Sequence, residues 1–399
     1  MEIQEEEQVT LSRNLENVNE ILNLAKLSEN DIKPTSQSLY FSSKNLYTNS
    51  YKLLQLDVNL LGEISAGNTL YAKGRDEDEL VICSDSQTFH VVEAETSNSL
   101  LLTNNLILNG EIKDIDERKL SKTNVCHVFY EYLEAVLGKP HLRRLNELLQ
   151  KTLYKGPEFE SEVNLDDLVT FEILDNVVQA STKELKEALE SMNTVNINGY
   201  VRMLDFEYHF RILSFMLKLI DENSWQLDEI DYDETIEALK DLAPMEIISN
   251  LFERYAHESK IIDGLQLYQY NEFEICKFFA RVLLHGAGKF NLDDFLQAWK
   301  DSVPEGMTPN EEMLYGIAVI DRKSKPNIIW AFEETSLPDN ITERFKALFN
   351  IKEKWTVPEI SPYIQNLATE SVDVNALLAK HARAVKVDGV KYYCSKHGK

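Results

Sequence analysis

Three dipeptides limit what this chain can fold into: Asn198-Gly199, Asp263-Gly264 and Asp388-Gly389. Each sits between short runs that alternate apolar and polar residues, as in TVNI-NG-YVRML, IID-GLQLYQY and KVDGVKYYC. Asn-Gly and Asp-Gly favour the left-handed backbone at both central positions of a type I′ turn, so each pair marks a two-residue β-hairpin. Each hairpin follows a stretch with Leu and Ala at helical spacing. A chain that repeats helices and then a hairpin is neither all-α nor a plain β-sandwich; the expected class is α+β.

Three or four such units can be traced. In the first, Leu165 to Val178 is read as one helix, and Ser181 or Thr182 caps STKELKEALESM with Glu184 placed to complete a capping box. FEYHFRILSFMLKLI follows as an apolar helix packing between units, with His209 read as a core histidine. The second has DETIEALKDL, then PMEIISNLFERYAHE with Pro244 at a helix start. The third has NLDDFLQAWKDSV, a short helix near EEMLYG, and strands GIAVID and NIIWAF on either side of Arg322-Lys-Ser-Lys-Pro326. The fourth has TERFKALFN, VPEISPYIQNL and VNALLAKHARAV before its hairpin. Helices followed by a hairpin make the winged-helix arrangement. The expected units are 161–228, 229–289, and one or two within 290–399.

The N-terminal part has another rhythm. Residues 1–10 are expected to be disordered, 11–27 to form a short amphipathic helix with Leu11, Leu15, Val18, Ile21, Leu22 and Leu24 on one face, and 28–50 to be loop. From Tyr51, five segments (YKLLQLDVN, NTLYAKG, ELVICSD, TFHVVEAE and SLLLTNN) are parted by turn-forming residues. They predict a small antiparallel, barrel-like sheet over 51–125. Its open edges would invite a partner's strand, with Leu53, Leu54, Leu56, Val81, Ile82, Val91 and Val92 as candidate docking residues. HVFYEYLEAVLG, apolar at 128, 129, 132, 133, 136 and 137, and PHLRRLNELLQKTLYKG then predict a helical linker over 126–160.

The formal net charge is −26 over 399 residues, so the chain as a whole repels phosphate, and any nucleic-acid contact must be local and salt-sensitive. Residues 380–399 run against this: Lys380, Arg383, Lys386, Lys391, Lys396 and Lys399 face Asp388 alone. The spacing predicts Lys380, Arg383 and Lys386 near one side of a recognition helix, with Lys391 on the wing. Arg322, Lys323 and Lys325 form a second wing-tip cluster.

Nothing in the sequence marks an active site. GxxxxGK[ST], GxGxxG, HExxH and GxSxG are absent, and HGAG at 285–288 sits where a helix end is expected. The acidic pairs fall near helix starts or in loops, and capping explains them, since carboxylates favour the macrodipole at a helix start. Cys83, Cys126, Cys276 and Cys394 have no zinc-site spacing. No apolar run approaches the ~20 residues that cross a bilayer. The expectation is a non-enzyme with no cofactor, no metal and no membrane contact.

Several separated segments also resemble one family. KFNLDDFLQAWKDSVPEGM, GIAVIDRKSKPNII, LPDNITERFKALFNIKEKWT and PEISPYIQNL (290–367), INGYVRMLDFEY with DENSW (197–225), and GNTLYAKGRDEDELVICSDSQTFHVVEAETSNSLLL (67–102) are similar to the DCC-type sister-chromatid-cohesion family. The resemblance implies a nuclear scaffold subunit of an alternative replication-factor-C clamp loader. Its partners would be the large Ctf-type ATPase subunit and a small third subunit, both paired with the β module. The complex would act on the sliding clamp, and DNA polymerase epsilon and single- and double-stranded DNA would meet the winged helices. The rival expectation is a tandem winged-helix protein-assembly module with no DNA role.

Overall fold

A computed structural model describes residues 14–31, 35–41, 51–108, 119–338, 340–368, 372–387 and 389–396. The expected disorder of 1–10, the turn residue Asp388 and the tail residue Lys399 lie outside these. The chain is a mixed α+β protein of two compact units, Met1–Leu145 with Glu172–Ala188, and Asn146–Phe171 with Leu189–Lys399.

The first unit begins with α1 (Leu15–Leu24), whose cap Asn14 accepts from Asn17 N. Then come β1 (Thr35–Phe41), β2 (Leu54–Gln55), α2 (Val58–Ser65), β3 (Tyr71–Lys73), β4 (Val81–Cys83), β5 (Thr88–Thr103) and β6 (Lys119–Gly138). The strand order is β1-β6-β5-β4-β3, with β2 also on β6; β1 and β2 run parallel to β6, the other pairs antiparallel. As expected of an open-edged sheet, among the described residues no pairing closes it into a barrel; the expected antiparallel order is corrected by β1 and β2, which run parallel to β6. The 3-residue β3 stands at one end of the sheet and the 7-residue β1 at the other.

Four local expectations change here. HVFYEYLEAVLG is strand, not helix, because its β-branched and aromatic residues pair along β5 from Gly138 back to Val125. TFHVVEAE and SLLLTNN are one strand; a register shift between Glu95 and Leu100 absorbs the Ser-Asn-Ser stretch, where Thr96 Oγ1 donates to Asn98 O at 2.6 Å. Part of the expected loop 28–50 is β1. LDVN opens a helix because Asp57 caps it, accepting from Asn59 N at 2.8 Å.

The unit's small core packs Leu60, Phe89 and Ala135 with Leu54, Leu56, Leu70 and Ile82. After α3 (Arg143–Lys151), the short α4 (Phe171–Val177) and α5 (Thr182–Ser191) follow. The predicted capping box forms: Glu184 N donates to Ser181 Oγ at 3.2 Å and Ser181 N to Glu184 Oε2 at 3.1 Å. Lys73 is buried, and its Nζ donates to Ala180 O at 2.7 Å and Asp175 O at 2.5 Å, tying β3 to the turn before α5.

The second unit carries the hairpins. Leu165–Val178 is not one helix: a 3₁₀ turn, Leu165–Asp167, precedes α4, because Leu168 is extended and the Val169 carbonyl accepts from Val201 N at 2.9 Å. β7 (Thr194–Ile197) and β8 (Tyr200–Met203) turn at Asn198 and Gly199, with φ of 52° and 85°. α6 (Phe206–Glu222) matches the apolar helix expected there. α7 (Tyr232–Leu239), α8 (Met245–Tyr255), β9 (Ala256–Ile262) and β10 (Leu265–Tyr270) form the next helix–hairpin group, and Ile230 pairs with Tyr268 beside it. α9 (Glu272–Leu284) ends before Gly286, as expected for HGAG. β11 (Lys289–Asn291), α10 (Leu292–Ser302), β12 (Ala318–Asp321) and β13 (Ile328–Ala331) follow, β11 adding an unexpected third strand. The last group is α11 (Ile341–Ile351), α12 (Val357–Ile364), α13 (Val374–His381), β14 (Ala382–Val387) and β15 (Val390–Ser395).

One large core runs through most of this unit, with Ile212, Leu213, Met216, Ile247, Leu251, Phe279, Phe295 and Trp299 among its buried members. A second centres on Phe345, Leu348, Trp355, Ile360, Tyr363 and Leu378. Each fully buried side chain of this size stabilises by roughly 1.5–3 kcal/mol.

Candidate nucleic-acid basin

The last helix–hairpin group is held by one aromatic residue. Trp355 N donates to Tyr393 O at 3.0 Å and Tyr393 N to Trp355 O at 2.7 Å, so Trp355 pairs beside β15. Its buried indole Nε1 donates to Leu348 O at 3.2 Å, which fixes the turn between α11 and α12. On α13, Leu377 and Leu378 face the core, so Lys380 near its C-terminus stays exposed.

Around this frame lies an open concavity of about 1400 Å³. Two clusters distant in sequence meet in it: Arg322 and Lys323 from the turn after β12, and Lys380 and Arg383 from α13 and β14. Lys346, Lys352, Lys354 and Lys396 line it as well, so eight Lys and Arg residues stand against the four carboxylates of Glu311, Asp321, Glu353 and Glu359. Aromatic rings are interleaved, Tyr315, Trp330, Phe349 and Tyr392 among them.

Three of the cations are ion-paired. Arg322 meets Glu311 at 2.6 Å, Lys323 meets Glu353 at 2.7 Å, and Lys352 meets Glu359 at 2.6 Å. The Glu353 carboxylate raises the Lys323 ammonium above its usual range. Asp321 is held low by Ser324 Oγ, which donates to it at 2.6 Å, and by Lys323 N. Among the described residues no carboxylate pairs with Lys346, Lys354, Lys380, Arg383 or Lys396; Lys396 Nζ donates to Lys380 O at 2.5 Å. His381 stacks on Phe345 with ring centroids 5.3 Å apart. Burial, and then the charges of Lys380 and Lys396, push it below the ordinary imidazole range, so it stays neutral in this positive field.

The expected recognition-helix face is corrected. The helix stops at His381, and Ala382 to Val387 pair residue by residue with Ser395 to Val390. With period two, Arg383 and Lys386 point to opposite faces of the hairpin. Lys386 lies opposite Lys391, whose Nζ sits 4.9 Å from the Tyr393 ring. Lys325 is exposed at the turn, and neither it nor that lysine pair lines the basin. Sequence reading passes over Lys346, Lys352 and Lys354 because Glu343, Glu353 and Glu359 balance them locally.

Among the docking candidates of the sheet, Val81 is fully buried, and Leu54, Leu56 and Ile82 pack on the unit's own core. Leu53 and Val92 are exposed, Val91 is half-buried, and Leu53 O accepts from Leu133 N at 2.8 Å. Other apolar residues face outward: Leu39, Tyr40 and Phe41 on β1, Leu100, Leu101 and Leu102 on β5, and Tyr130 on β6. From Val92 to Thr103 the side of β5 away from β6 has no strand partner among the described residues.

The family pattern described as sister chromatid cohesion protein Dcc1 matches residues 51–364. The chain belongs to the Dcc1 family of sister chromatid cohesion proteins. It is 35% identical to the sister chromatid cohesion protein DCC1 of Xenopus laevis over 97% of this chain and 99% of that one. The human protein of that name is 32% identical over 97% and 99%, and the Saccharomyces cerevisiae one 22% over 87% and 96%. The Dcc1 match takes in the sheet except β1 and the helix–hairpin groups through α12; Lys380 and Arg383 lie beyond its end. The family name denotes a part in sister chromatid cohesion. Among the described residues no helix is long and apolar enough to cross a membrane.

Proposed function

We propose that the chain is a non-catalytic scaffold subunit of an alternative replication-factor-C clamp loader, serving sister chromatid cohesion in the nucleus. The open edges of β1 and β5 take strands from the large Ctf-type ATPase subunit and the small third subunit. The helix–hairpin groups act as tandem winged helices that contact single- and double-stranded DNA and DNA polymerase epsilon. The sliding clamp is reached only through the complex. Family membership and the absence of a phosphate-loop motif support the scaffold part.

One observation carries the DNA part: five basin cations that pair with no carboxylate among the described residues, interleaved with aromatic rings, in a chain of net charge −26. Phosphate is attracted to such a patch at short range, and bases stack on exposed rings. The experiment is fluorescence anisotropy of labelled duplex and single strand with the full chain across a salt series. Replacing Lys346, Lys354, Lys380 and Arg383 together by Ala is expected to flatten the slope of log K against log salt by about 0.9 for each duplex phosphate no longer neutralised. An unchanged slope removes the basin from DNA binding. No salt-dependent binding by the unsubstituted chain instead favours the protein-assembly reading, which the overall acidity supports.

A further inference from the structure

Glu79, His90 and His141 come from three separate stretches of the sheet unit: the loop between β3 and β4, strand β5, and the segment after β6. One potential ligand atom from each lies within 4.8 Å of the other two. We propose that these three side chains bind a single zinc-class divalent ion, which staples the β3–β4 loop and the segment after β6 to β5.

The surroundings position all three. His90 Nε2 lies 2.7 Å from Lys139 O. A carbonyl only accepts, so Nε2 carries the proton and Nδ1 keeps the lone pair a metal needs. A backbone carbonyl behind an imidazole is the usual support of a metal-binding histidine. The ring lies directly over Gly138: a Cβ there would stand 2.0 Å from His90 Cδ2, so only glycine leaves room for it. Gln179 holds the other two, its carbonyl accepting from His141 N at 2.9 Å and its Nε2 donating to Glu79 O at 2.5 Å. The two imidazoles stand 4.6 Å apart, centroid to centroid, and are tilted by 43°.

Two imidazoles and a carboxylate suit zinc, whereas magnesium and calcium favour oxygen shells. Bonds of about 2.0–2.1 Å in tetrahedral geometry set the ligand atoms roughly 3.4 Å apart, so the side chains draw together on binding. With three protein ligands, a water completes the tetrahedron. Cysteine spacing gives no hint of this site, because its ligands are dispersed over about sixty residues of sequence and meet only through strand pairing.

The test is calorimetric titration of the metal-free full chain with Zn²⁺, with Mg²⁺ as control. One saturable Zn²⁺ equivalent that raises the thermal midpoint is expected, with none for Mg²⁺. Glu79→Gln and His141→Ala each lower the affinity tenfold or more, and Gln179→Ala by about tenfold through weaker positioning. Circular dichroism checks each fold; Glu79→Gln changes only an exposed side chain and carries the test if His141→Ala misfolds. Absence of a saturable equivalent overturns the proposal. So does an equivalent whose affinity is unchanged in Glu79→Gln.

Discussion

The two units solve the burial problem differently. In the second, every hairpin is short and backed by helices, and large side chains such as Trp299, Phe295 and Ile248 are fully enclosed. In the first, strands of 16 and 20 residues pack over a small cluster that includes Leu60, Phe89 and Ala135 among the described residues, while Leu100, Leu101, Leu102 and Phe41 face outward. Apolar surface that a folded chain leaves open along a strand edge marks a place for something else to cover.

The sharpest way to break that contrast is to empty the larger core. Trp299 is buried, its Nε1 donating to Cys276 O at 2.7 Å. Trp299→Ala is expected to destabilise the second unit by about 3–5 kcal/mol, the range for loss of a buried aromatic, read as a shifted urea midpoint. A much smaller shift would mean that this core is no tighter than the sheet's.

A second measurement uses acid. His209 is buried against Phe278 and Tyr255, its Nε2 has no hydrogen-bond partner, and burial pushes it down to about 3, helped by the charges of Arg254 and Arg281. The folded state therefore keeps it neutral while the unfolded chain takes up a proton below about 6.5. Stability rises with pH between about 3 and 6.5 and falls on acidification, by up to about 1.4 kcal/mol per pH unit from this group. His209→Phe should flatten that part of the stability–pH curve for the second unit; a curve with the same slope would show that other groups set the acid response.

The smallest stability effect belongs to the sheet. Leu101→Ser alters an exposed side chain and should move the stability of the isolated chain by no more than about 0.5 kcal/mol, read from its thermal midpoint. Co-purification of the proposed clamp-loader partners should fall sharply in the same variant. Retained partners with a lowered midpoint would reverse the contrast and make β5 part of a self-sufficient core.

Much of the helix–hairpin architecture is legible in the sequence because its signals are local. Asn198-Gly199 and Asp263-Gly264 fix their turns through their own backbone preference, and Ser181 with Glu184 fixes a helix start within one turn. β6 misleads because apolar positions 128, 129, 132, 133, 136 and 137 also fit a helical stripe, and only pairing with a distant strand decides between the two. Ala382–Val387 misleads for the same reason: its ladder partner lies beyond the turn. The basin is half visible, since Arg322 and Lys380 stand out as clusters while Lys346 and Lys354 are recruited by tertiary packing. Glu79, His90 and His141 carry no signal at all, being far apart in sequence.

The unpaired side of β5 also bears on how much of this protein a cell can hold. On the proposed docking, a copy without its partner would present an open strand edge from Val92 to Thr103 flanked by leucines, the kind of edge that chaperones and proteases engage and that templates aggregation. Abundance is then expected to follow the supply of whatever caps that edge, so that the stoichiometry of the assembly is enforced by turnover of the surplus copies.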